Sequence, residues 1–144
     1  RADITISWGA SSHTYDIRGR KYLGEVAETR ATFDQWEPLV FTRAHQPVPH
    51  LSIEAPAQVQ GGAVLAITLR DQSALPEGSF RIVRLELVTP GGEPYDLYAR
   101  NLKLNSTPYT ERIPLAYNDP KGGWLARARD VMTGESHETA FTVV

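Results

Sequence analysis

Residues 122–143, near the end of the chain, read GGWLARARDVMTGESHETAFTV and show the clearest structural pattern in the sequence. Trp124, Ala126 and Ala128 occupy every second position, and the alternation resumes at Phe141 beyond a Thr-Gly pair. A period of two places alternate side chains on opposite faces of a β-strand. The stretch therefore predicts a β-hairpin with one buried face, and Trp124 belongs to the predicted core.

Alternating runs of the same kind cover most of the chain upstream of this hairpin. They lie at residues 51–55, 63–70, 80–87, 95–104 and 109–115. The run at 80–87 changes phase near Ile82, which indicates a bulge. Together with the hairpin, the runs make seven strands in roughly 95 residues. That number and spacing predict an all-β fold, a seven-stranded antiparallel sandwich of the immunoglobulin or fibronectin III type.

Residues 1–43 form a second β-rich block. Ile4 and Ile6 alternate with polar residues, and the apolar run Leu39–Phe41 closes the block. We expect an additional small N-terminal β-meander of about four or five short strands, too small to hold an independent core. A proline-rich hinge at 44–49 then leads to the sandwich at 50–144.

Composition narrows the classes of function. The net charge is −2, so the sequence lacks the basic balance typical of nucleic-acid binding. No apolar run approaches the roughly 18 residues of a membrane-spanning helix, and the chain has no cysteine for a disulfide or a thiolate site. We therefore expect no nucleic-acid partner and no membrane span. Because the chain opens on Arg1 and enters a strand-like run at once, we expect a fragment of a longer protein.

Two stretches resemble known families. Residues 122–134 resemble the penultimate hairpin of bacterial immunoglobulin-like modules. Residues 15–24, YDIRGRKYLG, resemble the small C-terminal β-domain of β-galactosidase-like glycoside hydrolases. Together the resemblances imply a non-catalytic accessory module of a larger secreted bacterial carbohydrate-active protein, located outside the cell, in the periplasm or on the cell surface. Its implied partner is a neighbouring domain of the same parent chain.

The sequence offers no constellation that supports catalysis or metal binding. The four histidines lack the spacing of a zinc site. Ser11–His13 with Asp16 has no nucleophile elbow around it, and Glu25 with Glu28 has no predicted cleft between them. We therefore predict no catalytic residue, no metal ligand, no cofactor and no enzyme activity.

Aromatic side chains give the lead to a binding function. Trp36 lies at a polar tip, Trp8 at a strand end and Tyr98 beside Leu97. Exposed aromatic rings stack on sugar faces, so these three residues are the candidate ligand contacts. A carbohydrate-binding module with a polysaccharide partner is the first alternative function, and a cell-surface, adhesin-like protein-interaction module is the second. The opposing interpretation of Trp8 and Trp36 is burial where the two blocks meet.

Overall fold

The computed structural model describes residues 1–71, Gly78 and residues 80–144. Over this part of the chain the protein is all-β, with antiparallel sheets, eleven strands and a single turn of 3₁₀ helix. No helix within the described part has the length and apolar character needed to cross a bilayer. The chain divides into two compact units. Unit 1 comprises Arg1–Val48 with Val131–Glu135, and unit 2 comprises Pro49–Asp130 with Ser136–Val144.

Unit 1 is built on a three-stranded antiparallel sheet of order β2-β1-β3. Its strands are β1 (Ala2–Asp16), β2 (Lys21–Phe33) and β3 (Phe41–Ala44). The expectation of a meander of short strands is wrong, because β1 and β2 are 15 and 13 residues long and β3 pairs with β1. Interruptions in the alternation, which the sequence suggests are strand ends, lie inside one continuous hairpin.

The β1–β2 hairpin is irregular at its middle. The pairing register shifts between Ser7 and Ser12, where β1 carries the extra residues of a bulge. Gly9 within this stretch has a φ of +79°, a conformation that glycine adopts at little steric cost. A bulge bends and twists its strand. The two ends of the hairpin are therefore not confined to one flat ribbon.

Unit 2 consists of two sheets over one core. The first sheet has the order β4-β6-β9 and the second has the order β5-β11-β10-β7-β8. The strands are β4 (Leu51–Glu54), β5 (Gln58–Val59), β6 (Val64–Asp71), β7 (Arg81–Val88), β8 (Arg100–Leu104), β9 (Tyr109–Pro114), β10 (Gly122–Asp130) and β11 (Ser136–Val143). The 3₁₀ turn, Asp96–Tyr98, precedes β8.

The core of unit 2 draws inward side chains from both sheets, as the alternation predicts. Leu65 on β6 and Ile113 on β9 are fully buried in one sheet, and Leu85 on β7 is fully buried in the other. Trp124 is buried as predicted, and its indole Nε1 donates a hydrogen bond to Pro120 O at 2.8 Å. Full burial of each large apolar side chain contributes about 1.5–3 kcal/mol relative to exposure.

Two details of unit 2 depart from the seven-stranded antiparallel expectation. β5 is an additional strand, and it pairs with β11 in parallel, with Val59 opposite Val143. Two residues are too few for an alternating pattern to show in the sequence. The bulge predicted near Ile82 is wrong, because β7 and β8 pair in unbroken register over the described residues from Arg81 to Leu85. Arg81, and not Ile82, takes the inward position before Val83, and Ile82 faces outward.

Candidate ligand-binding groove

Unit 1 contains a groove of about 680 Å³. Residues from both ends of the β1–β2 hairpin line it, which the irregular middle of the hairpin makes possible. Its apolar part is formed by Ile4, Leu23, Ala31, Leu39 and Phe41. Apolar side chains in a concave surface favour a ligand with at least one apolar face.

The rim of the groove carries two carboxylates and two cations. Asp3 Oδ1 accepts a hydrogen bond from Thr32 Oγ1 at 2.8 Å, and Asp16 Oδ1 accepts one from the backbone amide three residues later, also at 2.8 Å. The positive charges come from Lys21, which lies opposite Asp16 in the β1–β2 register, and from Arg30. The rim is therefore strongly polar, yet its formal charges cancel.

A buried hydroxyl in the groove has no partner within the described residues. Thr29 lines the groove and is 9% exposed, and its Oγ1 makes no hydrogen bond there. Leaving such a group unpaired away from water costs about 1–3 kcal/mol. A ligand that offers a hydrogen-bonding group at this point removes that cost.

The connection between β2 and β3 forms a turn around Asp34. Asp34 Oδ1 accepts a hydrogen bond from the backbone N–H of Trp36 at 3.0 Å, and Asp34 O accepts one from Glu37 N at 3.1 Å. Arg1 Nε donates to Asp34 Oδ2 at 2.9 Å. The Trp36 amide first, and the Arg1 guanidinium second, lower the pKa of Asp34 below its ordinary value of 3.8. The carboxylate thus stays ionised and holds the turn.

This turn presents an aromatic surface. Trp36 is 83% exposed and Phe33 is 45% exposed. Together with Arg1, Asp34 and neighbouring residues they line a hollow of about 350 Å³. An indole ring beside carboxylate and guanidinium groups can stack on an apolar face while hydrogen bonding to the groups around it.

The hollow and part of the groove lining lie on one face of the hairpin, whereas Asp3 and Arg30 of the groove lie on the other. The register pairs Ala2 with Phe33 at the hollow and Ile4 with Ala31 at the groove, and Thr29 follows two residues further along β2. Residues two apart on a strand share a face. Trp36 and Thr29 therefore stand at two ends of a single track, which we call the Trp36–Thr29 track.

The three candidate contacts predicted from the sequence have different surroundings. Trp36 is on the track. Trp8 is partly buried, with its ring in edge-on contact with Phe41 at 5.6 Å and the Arg43 guanidinium 5.0 Å from its centroid. Tyr98 is only 8% exposed in the core of unit 2, so its ring is not available to a ligand at the surface.

The constellations considered for catalysis do not assemble. His13 Nδ1 hydrogen bonds with the hydroxyl of Tyr22 at 2.5 Å, and the two rings stack, whereas Asp16 accepts a backbone amide. Glu25 pairs across the hairpin with His13, and Glu28 pairs with Ser7. These two carboxylates stand three residues apart along one strand and thus on opposite faces.

Sequence reasoning missed Phe33, Thr29 and the charged rim. The sequence could have indicated Phe33 as a site residue, because it stands two residues from Ala31 and three from Trp36. Nothing in the sequence indicates Thr29 and Asp16. They line the same groove because the hairpin bends, and not because of their spacing in the sequence.

Comparison with known proteins gives only weak likeness at the level of the fold. No family model and no curated protein matches the chain. Among solved structures the chain is similar to "Superoxide reductase (Neelaredoxin) from Ignicoccus hospitalis", at 17% sequence identity and a TM-score of 0.45, over 65% of this chain and 80% of that chain. A likeness at that level says nothing about what this chain does.

Proposed function

We propose that the chain is a non-catalytic accessory module of a larger, secreted bacterial carbohydrate-active protein, and that unit 1 binds carbohydrate. The observation that carries this is Trp36, an indole 83% exposed on a turn held by Asp34. Trp36 and Phe33 are both exposed beside one hollow, and an exposed apolar patch of this kind is typical of a binding site. The C–H face of a pyranose ring suits that indole, while carboxylate and guanidinium groups bond the sugar hydroxyls.

The constrained backbone of the turn favours carbohydrate binding over the alternative that Trp36 is exposed without a function. The ring sits on a backbone that two hydrogen bonds to Asp34 already constrain. A pre-organised contact loses less conformational entropy when the ligand binds. The location outside the cell, inferred from resemblance, agrees with a polysaccharide partner.

Affinity electrophoresis through gels that contain soluble polysaccharides tests the proposal. A panel of xylan, galactan and mixed-linkage glucan should include one that retards the chain. Trp36→Ala is expected to abolish the retardation. Tyr117→Ala is the matched control, because Tyr117 is an equally exposed aromatic residue of unit 2, at 88%. Equal retardation of the wild type and Trp36→Ala, or retardation by none of the polysaccharides, would contradict the proposal.

For unit 2 we propose the immunoglobulin- or fibronectin III-like class of sandwich. The support is its strand order, in which β4, β6 and β9 form one sheet and β7, β8, β10 and β11 form the other, with β5 as a short addition. Cross-strand NOEs between Leu87 and Ala126 are the check, since that pairing joins β7 to β10 in the second sheet. NOEs that place β7 beside β6 instead would contradict the class.

A second candidate function is packing on a neighbouring domain of the parent chain. It is favoured by Leu39 and Val40, which are 36% and 42% exposed on the same connection as Trp36. Iodide quenching separates the candidates. Packing predicts that Trp36 is accessible in this chain and protected in the longer protein, whereas carbohydrate binding predicts that it is accessible in both until polysaccharide is added.

A further inference from the structure

We infer that the Trp36–Thr29 track binds a neutral oligosaccharide segment, which stacks on Trp36 and reaches into the groove as far as Thr29. The inference rests on the proposed carbohydrate binding and adds the class and the path of the ligand. It starts from the hairpin register, which places Phe33 of the hollow and then Ala31 and Thr29 of the groove in succession on one face of β2.

The dimensions suit a short sugar segment. Four residues of strand separate Phe33 from Thr29. At about 3.4 Å per residue they span about 14 Å, room for roughly three pyranose rings in line. The groove of about 680 Å³ falls within the ordinary size of a small-ligand site. A single sugar at Trp36 would leave the groove empty, so the track predicts that affinity grows with oligosaccharide length.

The charges select a neutral ligand. Asp16 stands opposite Lys21 in the β1–β2 register, and the formal charges of these two lining residues cancel. Asp3 and Arg30, on the opposite face from Ala31, also cancel. A uronate carboxylate would be attracted by Lys21 and repelled by Asp16, and the ammonium group of an amino sugar would be repelled by Lys21 and attracted by Asp16. Hydroxyl groups, which donate and accept, satisfy both kinds of side chain at once.

The groove lining offers contacts both to the C–H groups and to the hydroxyl groups of a sugar. Ile4 and Ala31 form an apolar floor for ring C–H groups, between the indole at one end and the hydroxyl of Thr29 at the other. Thr29 is more than nine-tenths buried and has no hydrogen-bond partner within the described residues. A sugar hydroxyl satisfies it, and an aliphatic ligand of the same shape does not.

The test is calorimetric titration with neutral oligosaccharides of one to five residues, drawn from the polysaccharide that retards the chain. Uronate and amino-sugar oligomers of equal length serve as the charged comparison. We expect affinity to rise up to about three residues and neutral oligomers to bind best. Thr29→Val should weaken binding by about two- to tenfold, the effect of one hydrogen bond. The melting temperature should be kept or raised, because the variant removes an unpaired buried hydroxyl.

A second pair of variants tests the path without relying on Thr29. Ala31→Arg places a bulky side chain on the groove floor and should abolish binding of the longer oligomers. Ser11→Arg, at an exposed position in the bulge of β1 and outside the residues that line the groove and the hollow, is its control and should bind as the wild type does.

The outcomes separate this inference from the proposed function. Binding that needs Trp36 but is unchanged in Thr29→Val and Ala31→Arg overturns the track and leaves carbohydrate binding standing. Preference for a charged oligomer also overturns it. Failure of the wild type to bind any carbohydrate overturns the proposed function, and the track with it.

Discussion

Arg81 is a charged residue at a buried position, where an apolar side chain is usual. It precedes Val83 in the inward series of β7, and its side chain is fully buried. The guanidinium lies between Asp71, with Nε to Oδ2 at 3.4 Å, and Asp130, with Nη2 to Oδ2 at 3.6 Å. Nη2 also donates to Pro49 O at 2.5 Å. Two carboxylates and a carbonyl thus replace the water that the charge gives up.

Removal of Arg81 should be costly, because the two buried carboxylates would lose their cation. We expect Arg81→Met to lower the free energy of unfolding by about 3–5 kcal/mol. Urea unfolding measures it, followed by Trp124 fluorescence in a background where Trp8 and Trp36 are replaced by Phe. Arg84→Met, at a half-exposed position on the same strand, is the control and should change the free energy by less than about 1 kcal/mol. Equal effects of the two substitutions would show that the buried cluster contributes nothing particular.

Tyr98 belongs to a second buried cluster of hydrogen-bonded polar groups in unit 2. Its hydroxyl donates to Asp119 Oδ2 at 2.5 Å, and Ala116 N donates to the same two side chains at 2.9 and 2.8 Å. Burial first, and the bond to Asp119 second, raise the pKa of the Tyr98 hydroxyl above its ordinary value of 10.0. The protonated phenol is therefore the form that the fold stabilises.

The raised pKa of Tyr98 predicts how the free energy of unfolding changes at alkaline pH. Because the pKa is higher in the folded chain, the stabilisation is fully present below pH 10.0 and is lost as the pH rises through the raised pKa. We expect Tyr98→Phe to cost about 1 kcal/mol at neutral pH and to flatten the alkaline loss. Denaturant unfolding across the alkaline range measures both. Tyr117→Phe, at an exposed position, should retain the wild-type profile.

At the scale of elements, long alternating strands were predictable and irregular ones were not. Alternation in the sequence predicted the buried faces of the run at 63–70 and of the hairpin at 122–143. The structure has β6, β10 and β11 at these positions. β5 has two residues, and its parallel pairing depends on a distant strand. The length of β1 was hidden because its bulge breaks the period of two without ending the strand.

The Asp34 turn is an element whose order depends on one carboxylate. Its pKa lies below 3.8, so the bonds that hold the turn are fully present above that pH and are lost as the pH falls through the lowered pKa. We expect the indole N–H resonance of Trp36 to be constant from neutral pH down to that point and to move below it. NMR titration measures this.

Asp34 variants check that assignment. Asp34→Asn keeps an oxygen acceptor for the Trp36 amide and should remove the acid transition while it preserves the neutral spectrum. Asp34→Ala removes the acceptor and should shift the Trp36 resonance at every pH. An acid transition that persists in Asp34→Asn would assign it to another group.

At the scale of the whole molecule, the sequence located one end of the candidate site and not the rest. Trp36 stood out because polar neighbours flank it in a short tip. The groove needs Asp3 and Asp16 on one rim, thirteen positions apart on a single strand, and only the course of the hairpin joins them. Local patterns predict faces of strands, whereas a concave surface is a property of how strands bend.

Because the buried charge cluster lies in unit 2 and the track lies in unit 1, stability and binding should change separately. Trp36→Ala removes a side chain that is 83% exposed, so we expect the free energy of unfolding to stay within about 0.5 kcal/mol while polysaccharide retardation disappears. Arg81→Met should do the opposite: it lowers stability, yet at a temperature where the variant is folded it is retarded as the wild type is. Thermal unfolding and affinity electrophoresis on the same two samples measure both quantities. Loss of retardation in folded Arg81→Met would mean that the carbohydrate contacts are not confined to unit 1.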